Sequence, residues 1–170
     1  ELVNASISIA EVAKKRLNAQ MRRTTQGFAT CSQPGKIIEF INVNGVEIDS
    51  VAKAKLAEHL DDADVADNLP PIVKEVLTLR REFAKTSVEK LPTLLVGTGI
   101  DKRIRGLLQY RGASTGRWSG RRFQPQNLMR PVMKFRSVML AVEVILSMAC
   151  NPNNLAPLEQ IFGSAMTVIA

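Results

Sequence analysis

A run of basic residues without an acidic neighbour is the feature of this sequence that points most directly to chemistry. From Lys102 to Arg136 no Asp or Glu occurs, and the cations of this basic run are Lys102, Arg103, Arg105, Arg111, Arg117, Arg121, Arg122, Arg130, Lys134 and Arg136. Like charges this close repel one another unless an anion lies near, and phosphate is the commonest such anion. The basic run therefore predicts a polyanionic partner, with a solvated basic surface as the alternative.

Composition limits the kind of protein that carries this run. The chain has 170 residues and a net charge of +7, and its apolar residues extend along most of its length, so it is able to bury one core or form two small subdomains. Net charge alone does not choose among DNA, RNA and an acidic membrane surface. The longest apolar run, from Val138 to Ala149, contains Glu143 and is too short to span a bilayer, so we expect no membrane segment.

Neither the cysteines nor the aspartates have the spacing of a metal site. Cys31 and Cys150 lie far apart with no CxxC pattern, which is typical of reduced, unpaired thiols. The aspartates between positions 61 and 67 lack the glycine and the terminal glutamate of a calcium loop, so the preferred interpretation is a solvated connector. No metal ligand is predicted in this chain.

Hydrophobic periodicity predicts a mainly α fold with a small β element. The strongest predicted helix opens at Pro70-Pro71, and Asp49 or Ser50 is the predicted cap of the helix before it. The predicted helices are residues 1–23, 37–41, 50–60, 70–92 and 135–148, with one or two more between Leu155 and Ala170.

The β element is predicted at residues 103–110, as a strand that enters a loop rich in glycine and arginine from Arg111 to Pro131. Tyr110 and Phe83 are expected in the core. Trp118 and Phe123 are able to stack on nucleobases, but the preferred interpretation of an aromatic residue in such a loop is a core anchor.

The same segment carries the most specific motif of the chain. Residues 103–131 read RIRGLLQYRGASTGRWSGRRFQPQNLMRP. This resembles the block of family A DNA polymerases in which a strand leads to a TGR core and ends in QNxP, and which the phage replicative branch writes as LQYxGAxTGRWxGxxxQxQNLPRP. Residues 115–120 and 124–128 keep both the residue types and the spacing, while Met129 stands where the family has proline.

The resemblance continues upstream of this motif. Residues 77–87, LTLRREFAKTS, are similar to the family's thumb helix with its pattern LxLRxxxxKTS, and residues 45–50, GVEIDS, are similar to the thumb tip. Essentially the whole chain is covered. The resemblance implies a helical thumb-like subdomain over residues 1–96, joined to the start of an incomplete α+β palm over residues 97–170.

Two sets of DNA-contacting residues follow from the resemblance. A polymerase holds any sequence, so it contacts phosphates and the minor-groove acceptors that all base pairs share. Family members place an arginine and amides near the primer terminus and template, and the corresponding palm set here is Arg117, Gln124, Gln126, Asn127, Thr115, Gly116 and Arg105. The thumb set, expected to contact phosphates, is Arg80, Arg81, Lys85, Thr86 and Ser87.

The family's catalytic aspartates lie in blocks of the DYSxxE and HDE kinds, and neither occurs in this sequence. The resemblance therefore implies no catalytic residue and no cofactor in this chain, with Mg²⁺ expected in the complete polymerase, and the isolated chain is expected to be inactive. The implied partners are primer-template DNA and the remaining palm and fingers, in the cytoplasm of a bacterium that hosts the phage or prophage. The alternatives are a non-catalytic DNA- or RNA-binding module from a split or decayed polymerase gene, and a small basic scaffold protein.

Overall fold

The computed structural model of the chain describes residues 1–85, 89–124, 134–164 and 166. This described part is mainly helical with one two-stranded antiparallel sheet, which confirms the predicted mainly α fold with a small β element. The chain divides into two compact units, residues 11–85 and residues 1–10 together with 86–170. The assignment of residues 1–96 to a thumb and of 97–170 to a palm stays a prediction.

The helices follow the apolar periodicity of the sequence. In chain order the elements are α1 (Leu2–Thr24), α2 (Pro34–Val43), α3 (Lys53–Asp61), α4 (Ala63–Asn68), α5 (Pro71–Phe83), α6 (Lys90–Gly97), β1 (Leu108–Gln109), β2 (Ser119–Gly120), α7 (Phe135–Ser147), a 3₁₀ turn (Met148–Cys150) and α8 (Ala156–Phe162). The predictions of a helix over residues 1–23 and of another over 135–148 are therefore confirmed to within one residue at each end.

The unit of residues 11–85 has one hydrophobic core. Helix α5 contributes apolar residues at helical spacing, so that one face of the helix is buried and the other is polar. Phe83 packs against this core, as predicted. Burial of each large aliphatic side chain stabilises the unit by about 1.5–3 kcal/mol relative to exposure. The fully buried core residues include Met21, Ile37, Ile41, Leu56, Val73, Val76 and Leu77.

A buried threonine ends α1 and supports the turn that follows. The hydroxyl of Thr25 donates to the carbonyl of Met21 at 2.8 Å, and it accepts from the backbone N–H of Ala29 at 3.1 Å. Six residues after the threonine, the N–H of Cys31 donates to the side-chain oxygen of Asn18 at 3.0 Å. The two side chains thus supply hydrogen-bond partners for backbone N–H groups of the turn that follows α1.

The predicted single helix over residues 70–92 is wrong. Helix α5 ends at Phe83, and residues 90–97 form the separate helix α6. Pro92 lies in the first turn of α6, where its missing N–H removes no intrahelical hydrogen bond. Proline was therefore misinterpreted as the end of one helix when it belongs to the beginning of the next.

The predictions for the segment between α2 and α5 also need correction. Neither Asp49 nor Ser50 caps α3, which begins after Ala52 without a side-chain cap. The predicted connector at residues 61–67 contains helix α4, because the carboxylate of Asp62 accepts from the backbone N–H of Asp64 at 3.1 Å and so caps a new helix.

The other unit, residues 1–10 with 86–170, packs α7 against α8. The predicted turn at residues 151–154 is confirmed, since the N–H of Asn154 donates to the carbonyl of Asn151 at 3.3 Å. Helix α8 ends at Gly163, and residues 167–170 of the predicted terminal helices lie outside the described residues. In the described part of the chain, no helix combines the length and the apolar character needed to cross a membrane.

We expect the stability of the unit of residues 11–85 to fall as the pH rises from about 9 to about 11. Cys31 is fully buried, and this burial raises the pKa of its thiol from 9.0 to about 11, against the smaller opposing effect of the nearby Arg80 charge. The unfolded chain therefore loses the thiol proton first, and ionisation favours unfolding across this interval. Urea denaturation at several pH values measures the effect.

Cys31→Ala provides the comparison, because it removes the titrating thiol. The free energy of unfolding of the wild-type chain should approach that of Cys31→Ala as the pH rises. At pH 8, a thiol reagent should modify the exposed Cys150 rapidly and Cys31 only on unfolding. Equal reactivity of both thiols in the folded chain would contradict the proposed burial effect.

Candidate nucleic-acid interface

The described members of the palm set lie on or beside a small β-hairpin. Strands β1 and β2 pair antiparallel, with Leu108 opposite Gly120 and Gln109 opposite Ser119. The strand predicted over residues 103–110 is therefore mostly wrong: only Leu108 and Gln109 pair in the sheet, while Ile104 makes an isolated bridge to Thr98. The reason is Gly106, whose φ of +70° interrupts the extended backbone.

The loop between the two strands satisfies its own backbone. The N–H of Gly116 donates to the carbonyl of Ala113 at 2.9 Å, and the N–H of Ala113 donates to the carbonyl of Arg117 at 3.3 Å. Gly116 has a φ of +76°, a conformation that side chains disfavour. The loop thus holds Thr115, Gly116 and Arg117 together and exposes all three.

Gly112 allows the two sides of the hairpin to approach closely. A Cβ atom at this position would lie 2.7 Å from the Cβ of Ser119 and 3.2 Å from the Cβ of Gln109. The first distance is far below a normal carbon–carbon contact. Each neighbouring Cβ atom is bonded directly to the backbone, so relieving the contact would require the strand itself to shift. Only glycine fits here, so this residue sets the geometry of the hairpin that displays Arg117.

Two aromatic residues face each other where the strands meet the loop. Tyr110 follows β1 and Trp118 precedes β2, and their ring centroids lie 5.2 Å apart with an interplanar angle of 63°. The side chains are 68% and 62% exposed, so the predicted core positions of Tyr110 and Trp118 are wrong. A two-stranded hairpin encloses no interior of its own, which is why aromatic residues at its end stay at the surface.

Exposed cations of the basic run occur before, within and after the hairpin in the sequence. One member is compensated: Arg105 donates to both carboxylate oxygens of Asp101, at 3.0 and 2.5 Å. This hydrogen bonding holds the pKa of Asp101 below its usual range. The cations that are exposed in the described part of the run between α6 and residue 124 are Lys102, Arg103, Arg105, Arg111, Arg117, Arg121 and Arg122.

Of the three amide side chains in the palm set, only that of Gln124 lies within the described residues. Gln124 is half-buried, and its side-chain nitrogen donates to the carbonyl of Gly120 at 2.9 Å, which ties the chain after β2 back to the hairpin. Gln126 and Asn127 lie outside the described residues. The DNA contacts predicted for this set stay predictions.

Arg80, the first residue of the thumb set, has a structural contact. Its guanidinium is partly buried and donates to the carbonyl of Cys31 at 3.1 Å. The Nε atom of the same side chain is buried without a hydrogen-bond partner in the described residues. This geometry gives Arg80 a role in packing the unit of residues 11–85, beside the phosphate contact that was predicted for it.

Two other members of the thumb set lie in the described residues and pair with acids, Arg81 at the surface and Lys85 in a partly buried position. Arg81 forms an ion pair with Asp61 at 2.7 Å, and Lys85 forms one with Glu82 at 2.7 Å. Thr86 and Ser87 lie outside the described residues. The structure therefore places three residues of this set on α5 or at its end, and their contacts with DNA stay predictions.

Sequence reasoning missed two residues that shape the interface. Asp101 compensates one cation of the run, and its position four residues before Arg105 is a signal that the sequence contains. Gly112 was overlooked because its requirement depends on which residue lies across the hairpin. The symmetric placement of Tyr110 and Trp118 around the loop would have indicated that register.

Comparison with the sequences of known proteins finds a relative of this chain. The chain is 36% identical over 129 residues to a DNA polymerase of Bacillus phage SP02. It is related to a phage DNA polymerase. The matching region covers 75% of this chain and 19% of that polymerase, so the chain spans about a fifth of its relative's length. No family model matches the chain. No solved structure matches it either.

We expect Gly112→Ala to open the hairpin, because the added methyl group cannot occupy the space between β1 and β2. Overpacking of this kind costs about 1–3 kcal/mol. The near-ultraviolet circular dichroism of Trp118 should weaken as its contact with Tyr110 is lost. Gly35→Ala is the control, since a Cβ atom there meets nothing within 4 Å. An unchanged Trp118 signal in Gly112→Ala would show that the hairpin accommodates the methyl group without opening, which would contradict the prediction.

Arg80→Ala and Arg81→Ala should differ in stability. Loss of Arg80 leaves the Cys31 carbonyl without its donor and removes buried methylene groups, at a cost of about 1–3 kcal/mol. The Arg81 side chain is 42% exposed in its ion pair, so its loss should cost at most about 1 kcal/mol. Urea denaturation of both variants measures the difference. Equal losses in the free energy of unfolding would contradict the structural role assigned to Arg80.

Proposed function

We propose that this chain is the thumb and the first part of the palm of a family A DNA polymerase, and that it grips primer-template DNA without reading its sequence. The observation that carries the proposal is the 36% identity to a phage DNA polymerase over three quarters of the chain. The TGRWSG and QNL motifs support the assignment to family A, because their residue types and spacing resemble the corresponding block of that family.

The described hairpin has the properties that sequence-independent binding requires. Arg111 and Arg117 are exposed on the loop, and Arg121 and Arg122 are exposed directly after β2. Arginine donates well to phosphate oxygens, which are the same for every base pair. Because Gly112 and the loop hydrogen bonds fix the backbone of the loop, DNA binding needs little ordering of that backbone.

Catalysis belongs to other parts of the polymerase in this proposal. Among the described residues, no three side chains of the His, Cys, Asp and Glu types lie together as a metal site. The sequence also lacks the DYSxxE and HDE blocks that hold the family's metal-binding aspartates, so the proposal assigns the Mg²⁺ site to other parts of the polymerase. The role of this chain is to position the primer-template, and the remaining palm and fingers are the proposed partners.

Salt-dependent binding tests this function. A labelled primer-template should bind with an affinity that falls linearly with salt concentration on logarithmic axes, because each phosphate contact releases a counterion. Arg117→Ala should lower the affinity for two unrelated sequences equally, and it should reduce the slope by about 0.9. Fluorescence anisotropy over a range of salt concentrations measures both quantities.

Lys55→Ala is the matched control for this experiment. It also removes one positive charge, but Lys55 lies on α3 in an ion pair with Glu58, outside both proposed contact sets. Its slope should equal that of the wild-type chain. A salt-independent affinity, or strong preference for one of the two sequences, would contradict the proposed function. Equal effects of both variants on the affinity and the slope would show that Arg117 contributes only through the net charge of the chain.

A further inference from the structure

The contact between Tyr110 and Trp118 belongs to neither the palm set nor the thumb set. Both rings are mostly exposed, although they touch each other edge to face. Large aromatic side chains in contact at a protein surface usually mark a place where something binds. Gly112 and the strand register hold the two rings in place, so the pair is a built feature of the hairpin.

The surrounding charge indicates what binds there. Arg111 follows Tyr110 directly and Arg117 precedes Trp118 directly, and all four side chains are exposed. A second copy of this chain would bring another net charge of +7, which opposes self-association through this surface. Single-stranded nucleic acid matches both components, since bases stack on aromatic rings while the adjoining phosphates contact arginine.

The exposed ring faces favour an unpaired base as the occupant. An interplanar angle of 63° means that the edge of one ring meets a face of the other, so the contact covers at most one face of either ring. Bases inside a duplex are already stacked and paired, and their faces are not accessible. A base that has left the duplex presents the flat surface that an exposed ring accepts.

We propose that Tyr110 and Trp118 form a stacking platform for an unpaired base of the bound DNA. This proposal rests on the proposed function, and it adds a contact to single-stranded DNA that neither the palm set nor the thumb set contains. The phosphates beside that base would lie against the arginines on the loop. The platform would hold a strand at the point where it leaves the double helix.

The fluorescence of Trp118 tests the platform directly, because this is the only tryptophan of the chain. Three labelled ligands are compared at low salt: an oligothymidylate, an abasic strand of the same length, and a blunt-ended duplex of the same length. All three should bind when followed by anisotropy. Only the oligothymidylate should quench the emission of Trp118, since only it offers unpaired bases.

Two variants give an independent measurement. Trp118→Ala should weaken binding of oligothymidylate by roughly 5- to 100-fold, the effect expected for one lost base stack. Its affinity for the abasic strand should change by less than about twofold, because the phosphate contacts remain. Phe135→Ala is the control, since Phe135 is an aromatic residue of α7 that is 77% exposed and lies outside the pair.

The outcomes separate this proposal from the proposed function. If no ligand binds at low salt, the proposed function fails, and the platform fails with it. If the strands bind but Trp118 emission stays unchanged and Trp118→Ala binds oligothymidylate normally, the platform alone is overturned. A change of Trp118 emission with protein concentration, without DNA, would overturn it in favour of self-association. The contrast among ligands on the wild-type chain does not depend on the folding of any variant.

Discussion

Close approach of backbone across a short hairpin is the constraint on which the candidate interface depends. Because Gly112 has no Cβ atom, the loop is able to lie against Ser119 and Gln109. The two strands together contain only four residues. Such a small sheet has little apolar burial to stabilise it, so steric fit and loop hydrogen bonds determine its shape. Everything that the hairpin displays, from Arg117 to the aromatic pair, is positioned by this fit.

The basic run illustrates how charge is distributed once the chain folds. Of its described cations near the hairpin, Arg105 is matched by Asp101, while Arg111, Arg117 and the others stay exposed. Salt screens the repulsion among exposed like charges, and a bound polyanion would offset it further. In the proposed function these cations contribute affinity because each phosphate that they neutralise releases a counterion from the DNA. The thumb set differs, since Arg80, Arg81 and Lys85 already have protein partners.

The sequence predicted the helices well where amphipathic periodicity was long, as in α1 and α7, because burial of one face determines the structure there. It failed at Pro92 and Asp62, where a single residue that ends one helix equally begins another. The strand before the loop was predicted too long, because Gly106 has a positive φ that changes the backbone direction within the predicted strand. Tyr110 and Trp118 were misplaced for another reason: aromatic residues are usually buried, and only the hairpin register shows that they meet at the surface.

The palm set was predicted from a motif, and the structure adds a physical reason for the motif's composition. In the TGRWSG segment, Gly116 adopts a positive φ to turn the loop, and Ser119 carries the Cβ atom that excludes any side chain at Gly112. Between them stand Arg117 and Trp118, a cation and an aromatic ring that the neighbouring residues hold at the surface. Two residues of the motif thus shape the hairpin, and the two between them supply the chemistry. Under the proposed function, a hairpin built in this way contacts phosphates at any sequence, and the proposed platform adds affinity only where a base is free to stack.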